Sequence, residues 1–165
     1  MASLHKMAVR VISAALIGGA GVAAAADFPK EGKYDITSCW SGIGNNIDFS
    51  KTHSAMSYEL TGTTRSNPPG GFLDMTAFRC VGFTGTIDGK VSGMNMCEGI
   101  DKDGDKYLIR SIVEPPKNTL EGLAGTGKYE GIVRTGVAES LGAFPAAKPG
   151  TFEGCNHGTG AYKMK

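Results

Sequence analysis

The chain has 165 residues, and its 17 Lys+Arg against 16 Asp+Glu leave a formal charge of +1. Such a balance carries no electrostatic footprint for nucleic acid or an anionic membrane surface. Glycine, at 25 residues, falls between short apolar runs, and beyond residue 26 no 3.6-residue apolar period survives three turns, which excludes a mainly helical protein.

The first 26 residues read as a secretory signal peptide. Lys6 and Arg10 supply a basic start, Val11 to Val22 an apolar run, and Ala24-Ala25-Ala26 a small-residue cleavage site before Asp27. Cleavage removes two cations, so 15 Lys+Arg would face 16 Asp+Glu, a formal charge of about −1. No later segment approaches the ~20 apolar residues of a membrane-spanning helix. The expectation is a periplasmic or secreted protein whose residues 27–165 form one domain, a length that buries about two-thirds of the unfolded surface.

Runs of apolar, β-branched and aromatic residues predict strands at Tyr34–Trp40, Ala55–Thr63, Leu73–Ile87, Lys90–Ile100, Lys106–Val113, Thr119–Ala124, Lys128–Thr135, Val137–Leu141 and Thr159–Met164. Asn67-Pro68-Pro69-Gly70-Gly71, Asp88-Gly89, Asp103-Gly104, Pro115-Pro116 and Gly125-Thr126-Gly127 are the turns between them. Strands this numerous and hairpin-linked must close into a barrel or stack as a sandwich, because an open meander leaves two exposed edges. Gly82, Gly85, Gly93, Gly131 and Gly136 within the strands permit the strong coiling of a small barrel. The expected fold is all-β, an antiparallel closed barrel of about eight strands with little helix.

The stretch from Phe78 to Glu98 sets a register. Asp88-Gly89 suits a type I′ turn, whose two central residues need positive φ. A hairpin centred there pairs Ile87 with Lys90 and, farther out, Cys80 with Cys97 and Arg79 with Glu98. The cysteines fall at a non-hydrogen-bonded pair, where Cα atoms approach to about 4.5 Å, within the roughly 4.4–6.8 Å that a disulfide spans. A bulge at Gly82, Gly85 or Gly93 would instead slip the register and separate both pairs.

Four cysteines in an exported chain argue for two disulfides. With Cys80 bonded to Cys97, Cys39 and Cys155 remain, and they would tie the first strand to the last, neighbours in a closed sheet. A zinc site is the rival reading, but no CxxC spacing occurs and only His53 and His157 stand available to assist. No metal and no cofactor is expected.

Three motifs have ordinary explanations. Gly122 to Tyr129, GLAGTGKY, has part of a phosphate loop's spacing, but Tyr129 stands where a Ser or Thr would hold magnesium, so a tight β-turn explains the glycines. Asp101-Lys102-Asp103-Gly104-Asp105 imitates a calcium loop, yet Lys106 and Ile112 occupy the positions of its glycine and bidentate glutamate, which leaves a solvated hairpin tip. No GxSxG elbow accompanies the histidines, and no catalytic residue is assigned.

One face of the Phe78–Glu98 hairpin carries Val81, Phe83, Ile87, Met94, Met96 and Ile100 with Arg79 and Glu98; the other carries Phe78, Cys80, Thr84, Thr86, Val91, Asn95 and Cys97. The first is the more apolar and is the expected interior. Arg79 and Glu98 then form a polar anchor in an apolar cavity, joined by Tyr107 and Arg110 if Asp103-Gly104 closes a second two-residue hairpin. The alternative is that the strands curve and the pair lies outside in water.

Gly125 to Ile132, GTGKYEGI, follows an acidic hairpin turn and leads to Gly136. It resembles the GTG-x-aromatic signature of allene oxide cyclase-like and dirigent-like barrels, including small exported bacterial members. The resemblance covers roughly Arg79 to Leu141 and implies an eight-stranded barrel with a ligand-sized interior. In the plant cyclases that interior cyclises an unstable fatty-acid epoxide, and in dirigent proteins it steers radical coupling; the catalytic residues of neither match positions here. The functional expectation is therefore non-enzymatic binding of a small, partly apolar or amphipathic ligand, or of a protein partner. A cyclase or isomerase acting on a lipid-like substrate, and a structural or host-interaction protein with a filled barrel, are the alternatives.

Overall fold

Asp88 and Gly89 adopt φ of 51° and 75°, the left-handed pair that a type I′ turn demands, and the strands on either side run out from them without a bulge. Cys80 faces Cys97 and Arg79 faces Glu98 in that register. The computed structural model describes residues 29–165, so the proposed signal peptide lies outside the described residues. It places β1 at Glu31–Ser50, β2 at His53–Ser66, β3 at Thr76–Ile87, β4 at Lys90–Ile100, β5 at Lys106–Val113, β6 at Lys117–Gly125, β7 at Val133–Phe144 and β8 at Thr151–Lys163.

Each strand pairs antiparallel with the next, and β8 returns to β1, so the sheet is a closed eight-stranded barrel with no free edge. Cys39 meets Cys155 across that closing seam. Both disulfides form, Cys39–Cys155 and Cys80–Cys97, with Cα separations of 4.1 and 4.0 Å. No free cysteine occurs among the described residues, as suits an oxidising compartment. Among the described residues no helix is long and apolar enough to cross a membrane.

Nine expected strands become eight because Lys128–Thr135 is not one strand. Gly127 and Gly131 take φ of 52° and 67°, which bends the chain out of the sheet into a 3-10 turn at Gly127–Tyr129. That bend drives Tyr129, 1% exposed, into one end of the barrel, and β7 then runs unbroken from Val133 past Gly136 to Phe144. The β4–β5 connection also differs. Ile100 pairs with Lys106 around a five-residue loop, so Arg110 lies opposite Met96, one place from where a two-residue hairpin would put it.

The same end is closed by the loop at 67–75. Its Phe72 stacks on Tyr162 at 4.0 Å and meets Tyr34 and Tyr129 at 5.6 and 6.3 Å, while Leu73 is buried beside them. Asp74 holds the loop shut by accepting hydrogen bonds from the Ser66 and Gly70 backbone N–H groups, each 2.9 Å.

The interior is the opposite face of the β3–β4 hairpin from the one expected. Phe78, Cys80, Asn95 and Cys97 point inward, whereas Val81 and Phe83 are 49% and 55% exposed on the outer wall. The reason is space. Inward strand positions are shared between glycines and large rings: a side chain at Gly99 would overlap the Tyr107 ring, one at Gly136 the Tyr34 hydroxyl, and one at Gly62 the Phe78 ring. A barrel this narrow seats its large rings over glycines, and on this hairpin the other face, with Val81, Phe83 and Ile87, is left to the outer surface.

Candidate functional site

With that face inward, the expected site comes apart. Arg79 lies on the outer surface, where its Nε and Nη2 donate to the Glu59 carboxylate at 2.8 and 2.7 Å, and this bond lowers the Glu59 pKa. Glu98, also outside, accepts from Lys106 Nζ at 3.2 Å. Arg110 pairs outside with Glu121, its Nε 3.1 Å from Oε2. They are exposed ion pairs on neighbouring strands and form no anchor in the interior.

Of the four expected site residues only Tyr107 points inward. Its hydroxyl lies 3.0 Å from Thr76 Oγ1, and burial raises its pKa. It belongs to the wall of a cavity of about 100 Å³ in the middle of the barrel. Leu60, Leu73, Phe78, Ile109, Leu120 and the Cys80–Cys97 bridge give the cavity its apolar surface. Ser38, Thr64, Ser111 and the amides of Asn95, Asn118 and Asn156 give it polar points.

The residue that distinguishes this cavity is Arg134, on β7. Alternation carries it inward between the outward Val133 and Thr135, and it is 1% exposed. Its guanidinium lies 4.4 Å above the Tyr34 ring, a cation–π contact, but its Nε has no hydrogen-bond partner. No ion pair among the described residues includes it. A second buried donor without a partner, Trp40 Nε1, belongs to a side chain lining the same cavity. The lining contains no carboxylate and no histidine.

The chain matches no family model, no curated protein and no solved structure.

The histidines sit apart from this cavity. His157 Nε2 is 3.0 Å from Asp35 on the outer wall. His53 lies at the β1–β2 turn within 3.5 Å of Ser50 Oγ and 3.4 Å of Asp88. That trio imitates a hydrolytic triad, but Ser50 Oγ already accepts from the Thr52 and His53 backbone N–H groups and so caps an exposed turn.

The calcium-like loop is filled by a lysine. Lys128 Nζ lies 2.8, 2.5 and 3.9 Å from carboxylate oxygens of Asp101, Asp103 and Asp105. Burial works to raise the Asp101 pKa, yet hydrogen bonds from Lys128 and the Asp103 and Asp105 backbone N–H groups outweigh it and hold the carboxyl below its ordinary 3.8. A carboxyl depressed on folding contributes stability above its unfolded pKa and loses it as pH falls through the lower folded value. Lys128→Met removes the largest of the contacts that oppose burial at Asp101, so acid unfolding, followed by circular dichroism, is expected to begin at a higher pH than in the parent. An unchanged acid transition would show that the lysine does not hold the loop.

Proposed function

We propose that this chain is an exported, disulfide-braced barrel that binds a small, partly apolar ligand in its interior without transforming it. The observation that carries this reading is the central cavity, whose apolar wall is interrupted by a buried, unpaired Arg134. Ligand sites have this make-up, an apolar surface with a few placed polar groups. The two disulfides and the signal-like first 26 residues support export to the periplasm or the medium. Kinship with the allene oxide cyclase-like and dirigent-like barrels is part of this proposal, supported by the closed eight-stranded sheet and the GTGKYEGI turn. A proton-transferring isomerase finds less support, because the cavity wall offers no carboxylate or imidazole as a base.

The test is native mass spectrometry of the protein recovered from an exporting host, with sequencing of its first residue. A bound small molecule released on denaturation, and a chain that starts near Asp27, are expected. Protein that carries nothing, and whose thermal midpoint ignores a panel of small amphiphiles, would sink the binding reading, since any ligand of the native state must raise that midpoint.

A further inference from the structure

We infer that the ligand is an anion, a monocarboxylate with a short apolar chain, held by Arg134. This inference rests on the reading of the cavity as a binding site. A guanidinium removed from water is costly unless its charge and donors are met. The Tyr34 ring beneath Arg134 meets part of the charge through its face, but a ring face does not satisfy in-plane N–H donors. Nε is left unpartnered in a wall without carboxylates, and Trp40 contributes a second unpartnered donor. What the cavity lacks is therefore negative charge, and an acceptor placed on these two donors.

A carboxylate supplies both, in the planar geometry that a guanidinium fork binds with two parallel hydrogen bonds. Phosphate fits less well, since a dianion would face a single cation. Leu60, Ile109 and Leu120 provide an apolar wall for the rest of the molecule. The size limit is strict: about 100 Å³ is less than the ~150 Å³ engineered cavity that takes benzene, so the chain attached to the carboxylate is a few carbons long.

Trp40 is the only tryptophan and lines the cavity, so its fluorescence reports occupancy directly. The intact protein is titrated with propionate, with its neutral isostere propionamide, and with xenon, while ¹⁵N NMR follows the Arg134 Nε–H resonance. Propionate is expected to shift both signals saturably and to bind at least about tenfold more tightly than propionamide, the usual margin of a charge-assisted hydrogen bond. Arg134→Met should erase that preference and Arg134→Lys should keep part of it. Propionamide or xenon binding as well as propionate, or propionate binding equally to Arg134→Met, overturns the anion assignment and leaves the cavity a binding site. Failure of all three probes overturns both readings. The propionate–propionamide comparison decides even if the variants do not fold.

Discussion

The Cys39→Ser/Cys155→Ser variant is expected to lose about 5 kcal/mol of unfolding free energy, the entropy of a loop closed across 116 residues. The Cys80–Cys97 bridge closes only 17 residues, and the same reasoning assigns it about 3 kcal/mol. Since a domain of this size is stable by only about 5–15 kcal/mol, losing the first bridge removes a third or more of the total. The two bridges also differ in what they touch. Cys39 and Cys155 alternate with the cavity-lining Ser38, Trp40 and Asn156 and so lie on the outer wall, whereas Cys80 and Cys97 line the cavity itself. Urea unfolding should therefore rank the seam bridge as the larger contributor, while ligand binding, measured where both variants are folded, should change only in Cys80→Ala/Cys97→Ala. A reversed ranking in urea would mean that strand closure, once formed, does not depend on the covalent seam.

The contrast between register and facing shows what the amino-acid order conveys. Asp88-Gly89, the opposed cysteines and the opposed Arg79 and Glu98 all specify one register, and the hairpin has it. The choice of interior failed because it assumed that the more apolar face turns inward. In a narrow barrel the informative residue is glycine. On the β3–β4 hairpin, Gly82, Gly93 and Gly99 share the cysteine face and Gly85 alone lies on the other, so the parity of the glycines marks the inside where hydrophobicity misleads. Arg134 escapes the sequence reading for a different reason: that reading ends one strand at Thr135 and begins another at Val137, so it gives Arg134 no face, whereas β7 is continuous through both. Gly136, two residues along, lies on Arg134's face and was the available signal. The absence of an acid partner for Arg134 was beyond reach of the sequence, because it depends on every wall of the barrel at once.

Phe72→Ala is expected to cost about 3–5 kcal/mol, the usual loss for a buried aromatic truncated in a core. Phe72 is 3% exposed, and the loop that carries it is otherwise poorly disposed to enter the barrel. Leu73 and Met75 both take left-handed backbone conformations, φ of 61° and 54°, which bulky residues avoid. The loop tolerates them because Phe72 and Leu73 bury together and Asp74 ties the turn to Ser66 and Gly70. Removing the ring takes away the stack on Tyr162 and the contact to Tyr34, the ring over which Arg134 is held. Two readouts should move together. Amide exchange at Ser66 and Gly70 should speed up more than exchange in the β3–β4 hairpin, and the preference for propionate should weaken as Arg134 loses its support. A loss below about 1 kcal/mol with unchanged exchange would mean that the 67–75 loop merely covers the barrel end, leaving Tyr107, Tyr129 and Tyr162 to close it.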